Sequence, residues 1–190
     1  MLFRPKTTKI DFNAHCLKIG SEKIERIGKE CKTSFFKFVG IHLDEFLEWD
    51  HHIAHVATKM SRGNYVLASA KNTLPIHIRK TIYNSLIRSH MEFGILSLGN
   101  SLAGKLKKIV NIQKKCVRNI AGKHFLSHSD PIYKNLGILK FQDLLQYNQS
   151  TFMHKLINGK QPSSFDDFFK KGPNFESGTR KWHSVTWLTN

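Results

Sequence analysis

Four groups of side chains have types and spacing that could do chemistry. His51, His52 and His55 crowd one short stretch. On a helix His51 and His55 share a face, a spacing that can hold zinc. No third or fourth ligand follows and no HExxH glutamate accompanies them. They read as solvated or packed histidines, or as phosphate contacts at a helix start. Asp44, Glu45, Glu48 and Asp50 form an acidic cluster that could attract a divalent ion. They stand just before a helix, where carboxylates meet the positive end of its dipole. Asp166 and Asp167 lie among Phe165, Phe168 and Phe169, and suit the cap of a short final helix. The cysteines are Cys16, Cys31 and Cys116. An odd count without CxxC spacing argues against a disulfide framework and a zinc ribbon. Three free thiols in a reducing compartment, nucleus or cytoplasm, are expected. No Gly-rich phosphate loop, nucleophile elbow or Cys/His pairing is present. The residues assemble no active site: neither catalytic residues nor metal ligands are expected.

The elements that would position these groups fall into two styles. The first 45 or so residues read as β. Thr7–Phe12 and His15–Ile19 are short segments, with a tight turn over Lys18–Glu22 and a weaker strand over Lys23–Ile27. Ser34–Leu43 is the strongest strand, rich in aromatic and branched residues, with Gly40 as a bulge or close approach. After Asp44 the pattern turns helical. Asp50 is a plausible N-cap for a helix from His51 to about Ala70, with Arg62-Gly63-Asn64 a potential interruption. Pro75 suits the first position of a second helix running to about Phe93. A third helix spans Leu102 to about Ala121, stopped by Gly122. Asp130-Pro131 starts a short helix ending at Gly137. Phe141 to about Ile157 forms a fifth, ended by Gly159 and Pro162. The tail from Gly172 reads as flexible.

The charge sits mostly in the helical part. The chain has 190 residues, 30 Lys+Arg against 14 Asp+Glu, a formal net charge of +16, and 11 His. Apolar residues make up 40%, with 14 Phe, enough for a core, which excludes wholesale disorder. No apolar run approaches the roughly 18 residues of a membrane helix, and no signal peptide follows the first residues. From His51 to Ser129 there are thirteen cations and a single acid, Glu92. On the third helix, at about 100° per residue, Leu102, Leu106, Ile109, Val110, Cys116, Val117 and Ile120 fall on one side. Lys105, Lys107, Lys108, Lys114, Lys115 and Arg118 fall on the other. Cations without interspersed acids repel, and phosphate contact lowers that repulsion while releasing counterions. A sequence-nonspecific nucleic-acid surface is therefore expected, formed by Lys59, Arg62, Lys71 and those six cations. An anionic membrane surface or an acidic protein is the other class of partner.

Six segments, in order, resemble the C-terminal part of the reverse transcriptase of non-LTR retrotransposons, the Jockey-like group of arthropods in particular. Lys6–Phe12 resembles the Lys-Thr…Phe strand that follows the catalytic Asp-Asp hairpin of the palm. Phe36-Lys37-Phe38-Val39-Gly40 resembles the Phe-Lys-Tyr-Leu-Gly segment of the primer-grip hairpin. Leu47–Ile53 resembles the Leu-x-Trp-x-x-His-Ile continuation into the thumb. Leu74-Pro75, Ile82–Leu86 and Phe93-Gly94 resemble the next thumb helix. Ile112–Ile120 resembles the Gln-Lys-x-x-x-Arg-x-Ile helix. His128–Pro131 with Leu136–Leu139 resembles the post-thumb Pro…Leu-x-Ile-Leu motif. The match covers roughly residues 4–170. Val39 stands where Leu is usual, Phe93 where Tyr is, and Leu98 where Trp often is.

The resemblance implies an α+β, mainly α fold. Residues 1–46 would be a palm remnant and primer-grip-like hairpin, and 47–122 a thumb-like basic helical bundle. Residues 123–171 would be a helical extension and 172–190 a flexible tail. Phe36, Lys37, Phe38 and Gly40 would lie near a primer terminus. The parent activity is RNA-directed DNA polymerase, which uses Mg2+ held by carboxylates. The chain is expected to start after those aspartates, to bind no cofactor itself and to be inactive alone. Its partners would be an RNA/DNA primer–template and the missing palm and fingers, with no membrane. The alternatives are a domesticated or remnant nucleic-acid-binding module, or a basic adaptor for acidic protein or membrane surfaces.

Overall fold

The computed structural model describes residues 3–8, 17–24, 27–28, 31, 33–99, 101, 103–162 and 164–165. The secondary structure is mainly helical, with short antiparallel hairpins near the N-terminus. Lys18–Ile19 (β1) pairs with Glu22–Lys23 (β2) around Gly20, which has a φ of 62°. Phe35–Phe38 (β3) pairs with Ile41–Asp44 (β4), with Phe36 opposite Leu43 and Phe38 opposite Ile41.

The expected single strand over Ser34–Leu43 is thus two strands. Gly40 is not a bulge within a strand but half of a two-residue turn. Val39 has a φ of 46° and Gly40 of 85°, the left-handed pair that matches the twist of a tight hairpin. A β-branched residue is unfavourable there, which is why the turn is hard to see in the sequence. Thr7 lies in a turn rather than a strand, and 9–16 fall outside the described residues.

Asp50–Ser69 forms α1, uninterrupted at Gly63. Its N-cap is Trp49, with a φ of 65°, rather than Asp50, the first helical residue. The turn before it is organised from β4. The Asp44 carboxylate accepts backbone N–H bonds from Phe46, Glu48 and Trp49 at 3.1, 2.9 and 3.0 Å. Those bonds offset the left-handed strain at Leu47 and Trp49.

The second helix is a composite: Ile76–Tyr83 (α2), a π-helical turn over Asn84–Arg88, and Ser89–Glu92 (α3). Pro75 is its N-cap, in extended conformation, rather than its first helical residue. Gly63 of α1 meets the π turn closely. A Cβ there would lie 2.7 Å from Ile87 Cγ1 and 3.2 Å from the Leu86 carbonyl oxygen. The glycine is a packing requirement, not a helix break.

Ile95–Leu98 is α4 and Ala103–Ile120 is α5. Ser129–Leu136 is α6, capped by His128 rather than Asp130 and ended by Gly137 in left-handed conformation. Phe141–Ile157 is α7, as its pattern predicts.

Two compact units divide the chain, residues 1–145 and 146–190. The first holds a core of Met60, Leu67, Tyr83, Ile87, Met91, Leu98, Ile109, Cys116 and Ile120 with Phe141 and Leu144. Burial pushes the Cys116 thiol up to about 12, as befits a core cysteine. Gln113 is the polar centre of this core. Its amide donates to Tyr83 Oη and the Leu139 carbonyl at 3.0 Å, and its carbonyl accepts from the Phe141 backbone N–H at 3.0 Å. In the second unit Phe152 meets Phe165 edge to face at 5.6 Å. Asp166, Asp167 and the tail from Gly172 lie outside the described residues.

Candidate nucleic-acid interface

α1 and α5 run parallel, side by side. Lys105 Nζ meets Asp50 Oδ2 at 2.9 Å near their starts, and the Asn119 amide donates to Asn64 Oδ1 at 2.9 Å further along. At the far end Lys71 Nζ donates to the Lys123 carbonyl at 3.0 Å. Parallel helices cannot be joined by a short turn, and here α2, the π turn, α3 and α4 supply the crossover.

α5 separates its faces as its sequence predicts. Leu106, Ile109, Cys116, Val117 and Ile120 are buried, and Val110 is partly so. Lys107, Lys108 and Lys115 are exposed and Lys114 is half-buried. Among the described residues, none of these four makes an ion pair with a carboxylate, although Lys114 feels the Asp130 charge.

The other expected cations are differently engaged. Lys105 pairs with Asp50 and Glu48. Burial works against its charge, but the hydrogen bond it donates to Asp50 and the charges of Asp50 and Glu48 prevail and raise its pKa. Arg118 Nε donates to the Ser127 carbonyl at 2.7 Å, and Lys71 is committed to Lys123. Lys59 and Arg62 fall on the flank of α1 away from α5, at about 100° per residue from the Asp50–Asn64 edge. The nine expected cations therefore do not make one patch. The structure groups those of α5 and separates them from Lys59 and Arg62.

The β3–β4 hairpin rests on α1 through histidines. His42 meets His55 edge on at 4.5 Å and His52 at 6.0 Å, and Phe35 stacks on His51 at 4.6 Å. His52 is fully buried, and among the described residues only the Phe93 backbone favours its charged form. Burial lowers the pKa of His42, His52 and His55 alike; Lys37 and His51 add to it at His42, His42 and His55 at His52, and His42, Lys59, Lys37 and His90 at His55. Of the primer-grip-like residues, Phe36, Lys37 and Phe38 are exposed. A Cβ on Gly40 would lie 3.1 Å from Phe93 Cε1.

The acidic cluster is consumed internally. Asp44 caps backbone amides. Glu45 accepts from Arg4 Nε at 2.6 Å. Glu48 pairs with Lys6 at 2.6 Å, which holds its carboxyl below the usual range. Among the described residues, no group of three or more His, Cys, Asp or Glu is placed to hold a metal ion. No described helix is long and apolar enough to cross a membrane.

Sequence reasoning missed Arg79, which is buried and donates from Nη1 to the Asn119 carbonyl at 2.9 Å. It also missed Phe125 and Leu126, 71% and 73% exposed in the loop after α5. The only local signal was an apolar pair just beyond the helix-stopping Gly122.

The sequence supports a region related to a retrotransposon RNA-directed DNA polymerase. The similarity is to the RNA-directed DNA polymerase from mobile element jockey of Drosophila melanogaster, with 28% identity over 125 residues. That stretch is 64% of this chain and 14% of the jockey protein, so the chain spans a small part of its relative's length. No family model matches the sequence. No solved structure matches it either.

Proposed function

We propose that this chain grips nucleic acid by its phosphates, as a thumb-like part of a retrotransposon RNA-directed DNA polymerase. One observation carries the reading: the outer face of α5 presents Lys107, Lys108 and Lys115 exposed and unpaired with carboxylates among the described residues. Lys107 and Lys108 are neighbours and Lys115 stands about two turns on; held on a rigid helix, these charges repel until an anion neutralises them. A polyphosphate backbone does so and releases its own counterions. The partner is an RNA/DNA primer–template, held without base readout. In this reading the tip of the β3–β4 hairpin, with Phe36, Lys37, Phe38 and Gly40, lies near the primer terminus.

The acids that precede α1 do not fit the paired Mg2+ ions of a polymerase. Asp44 is committed to backbone amides, and Glu45, Glu48 and, at the first position of α1, Asp50 to cations. Bond-making is therefore assigned to palm and fingers contributed from outside the described residues, and no chemical step is routed through this chain.

A salt titration of binding to an RNA/DNA hybrid tests the reading. Replacing Lys107, Lys108 and Lys115 by Gln should reduce the log–log salt slope by about 3 and weaken binding. An unchanged slope would place the contact elsewhere, and salt-insensitive binding by the unaltered chain would refute the phosphate grip itself.

A further inference from the structure

The loop between α5 and α6 is stapled, not free. Lys71 Nζ holds the Lys123 carbonyl and Arg118 Nε holds the Ser127 carbonyl. Inside it, the Lys123 N–H returns to the Arg118 carbonyl at 3.0 Å and the Ser127 N–H to the His124 carbonyl at 3.1 Å. The Leu126 N–H points to His124 Nδ1 at 3.4 Å, and the His124 ring leans on Phe125 at 4.3 Å. The staples fix a tip on which Phe125 and Leu126 are 71% and 73% exposed. A loop held this way cannot fold two large apolar side chains back onto the core.

The charge around the tip is mostly positive, and the acid that follows it, Asp130, is paired with Lys140 at 3.1 Å. Lys71, Arg79 and Arg118 all spend hydrogen bonds on carbonyl oxygens, which accept the bond but cancel no charge. Arg79 is buried, and among the described residues its Nε has no partner. Between Phe93 and Ser129 the sequence has no acid. An apolar, partly aromatic tip beside an excess of cations complements the two parts of a nucleotide, a flat base face and a phosphate.

We propose that Phe125, with Leu126 beside it, is a wedge that stacks on an unpaired nucleobase next to the strand whose phosphates α5 grips. This rests on the phosphate-gripping reading above. A lipid surface is the less fitting occupant. The two side chains together have fewer carbons than a single myristoyl chain, which by itself holds a membrane only marginally.

The test compares the purified full chain on two hybrids of equal phosphate number, one blunt and one with an unpaired template overhang. The unaltered chain should bind the overhang hybrid about tenfold tighter, within the range of one stacked base. The double variant Phe125→Ala, Leu126→Ala should lose that preference while keeping its salt slope and its thermal unfolding midpoint, since both side chains are exposed. Phe125→Trp should keep the preference. Salt-sensitive binding with no overhang preference, or a preference that survives in the double variant, would overturn the wedge and leave the grip standing. Absent or salt-insensitive binding to both hybrids would overturn both readings. Loss of binding to phosphatidylserine vesicles alone in the double variant would reassign the tip to a membrane and overturn the wedge.

Discussion

Acidification should destabilise this protein through the histidines under its hairpin, and His52→Leu should remove part of the effect. His52 is fully buried between the hairpin and Gly94, and among the described residues only the Phe93 backbone favours its charged form. The groups facing it and its neighbours are His42 and Lys37 from the hairpin, His51, His55 and Lys59 from α1, and His90 from α3. All are neutral or positive. Protonating His52 in place would bury a charge against like charges, with only the Phe93 backbone offsetting part of the cost. The folded pKa is thus depressed below the unfolded value of about 6.5. Above that pH both states are neutral and the residue contributes nothing to the pH dependence. Below it the unfolded chain takes up a proton that the folded chain refuses, and stability is lost. At pH 5.5 this linkage amounts to at most about 1.4 kcal/mol for one histidine that stays neutral when folded. His42 and His55 act in the same direction. Urea unfolding followed by circular dichroism at pH 7.5 and 5.5 measures it, and hydrogen exchange of the β3–β4 amides localises it. His52→Leu should lose up to about 1.4 kcal/mol less on acidification than the unaltered chain. Equal losses in both would mean that burial does not depress His52, and the reasoning would fail.

Gly63→Ala should destabilise despite the better helix propensity of Ala, because a Cβ 2.7 Å from Ile87 Cγ1 forces α1 off the π turn. A net cost of about 1–2 kcal/mol is expected by thermal unfolding, and the cost of Gly63→Ala should shrink in an Ile87→Ala background, which removes Cγ1. Gln113→Leu should cost more than Tyr83→Phe, about 2–4 kcal/mol in urea unfolding, since it orphans the Leu139 carbonyl and the Phe141 N–H within the core. Equal costs would assign the network's value to the tyrosine hydroxyl alone. Lys105→Met should cost under about 1 kcal/mol, because its Asp50 partner is exposed. It should also leave the hybrid-binding salt slope nearly unchanged, since its charge is already neutralised within the protein.

Much of the helical half was legible from local pattern. The apolar stripe of α5, the burial of Cys116, the Gly137 stop and the bounds of α7 all follow from a 3.6-residue period and its caps. The β half was less so. A turn at Val39-Gly40 hides because valine rarely adopts a left-handed φ, and an aromatic-rich run reads as one strand until its ends are seen to pair. Helix starts moved by a residue or so because the Asp44 carboxylate and the extended Pro75 organise them, rather than the side chain of the cap itself.

The sequence by itself determined which face of α5 packs and that the opposite face is basic, because both are properties of spacing along one chain. Tertiary structure alone decided which of those cations remain available. Lys105, Lys71 and Arg118 look the same in sequence as Lys107, Lys108 and Lys115. The first three are engaged by a carboxylate or carbonyl, two of them by groups on segments more than 50 residues away. Such partners arrive only when α1 docks beside α5. Docking likewise made Gly63 a contact, Gln113 a hub and Phe125 an exposed tip.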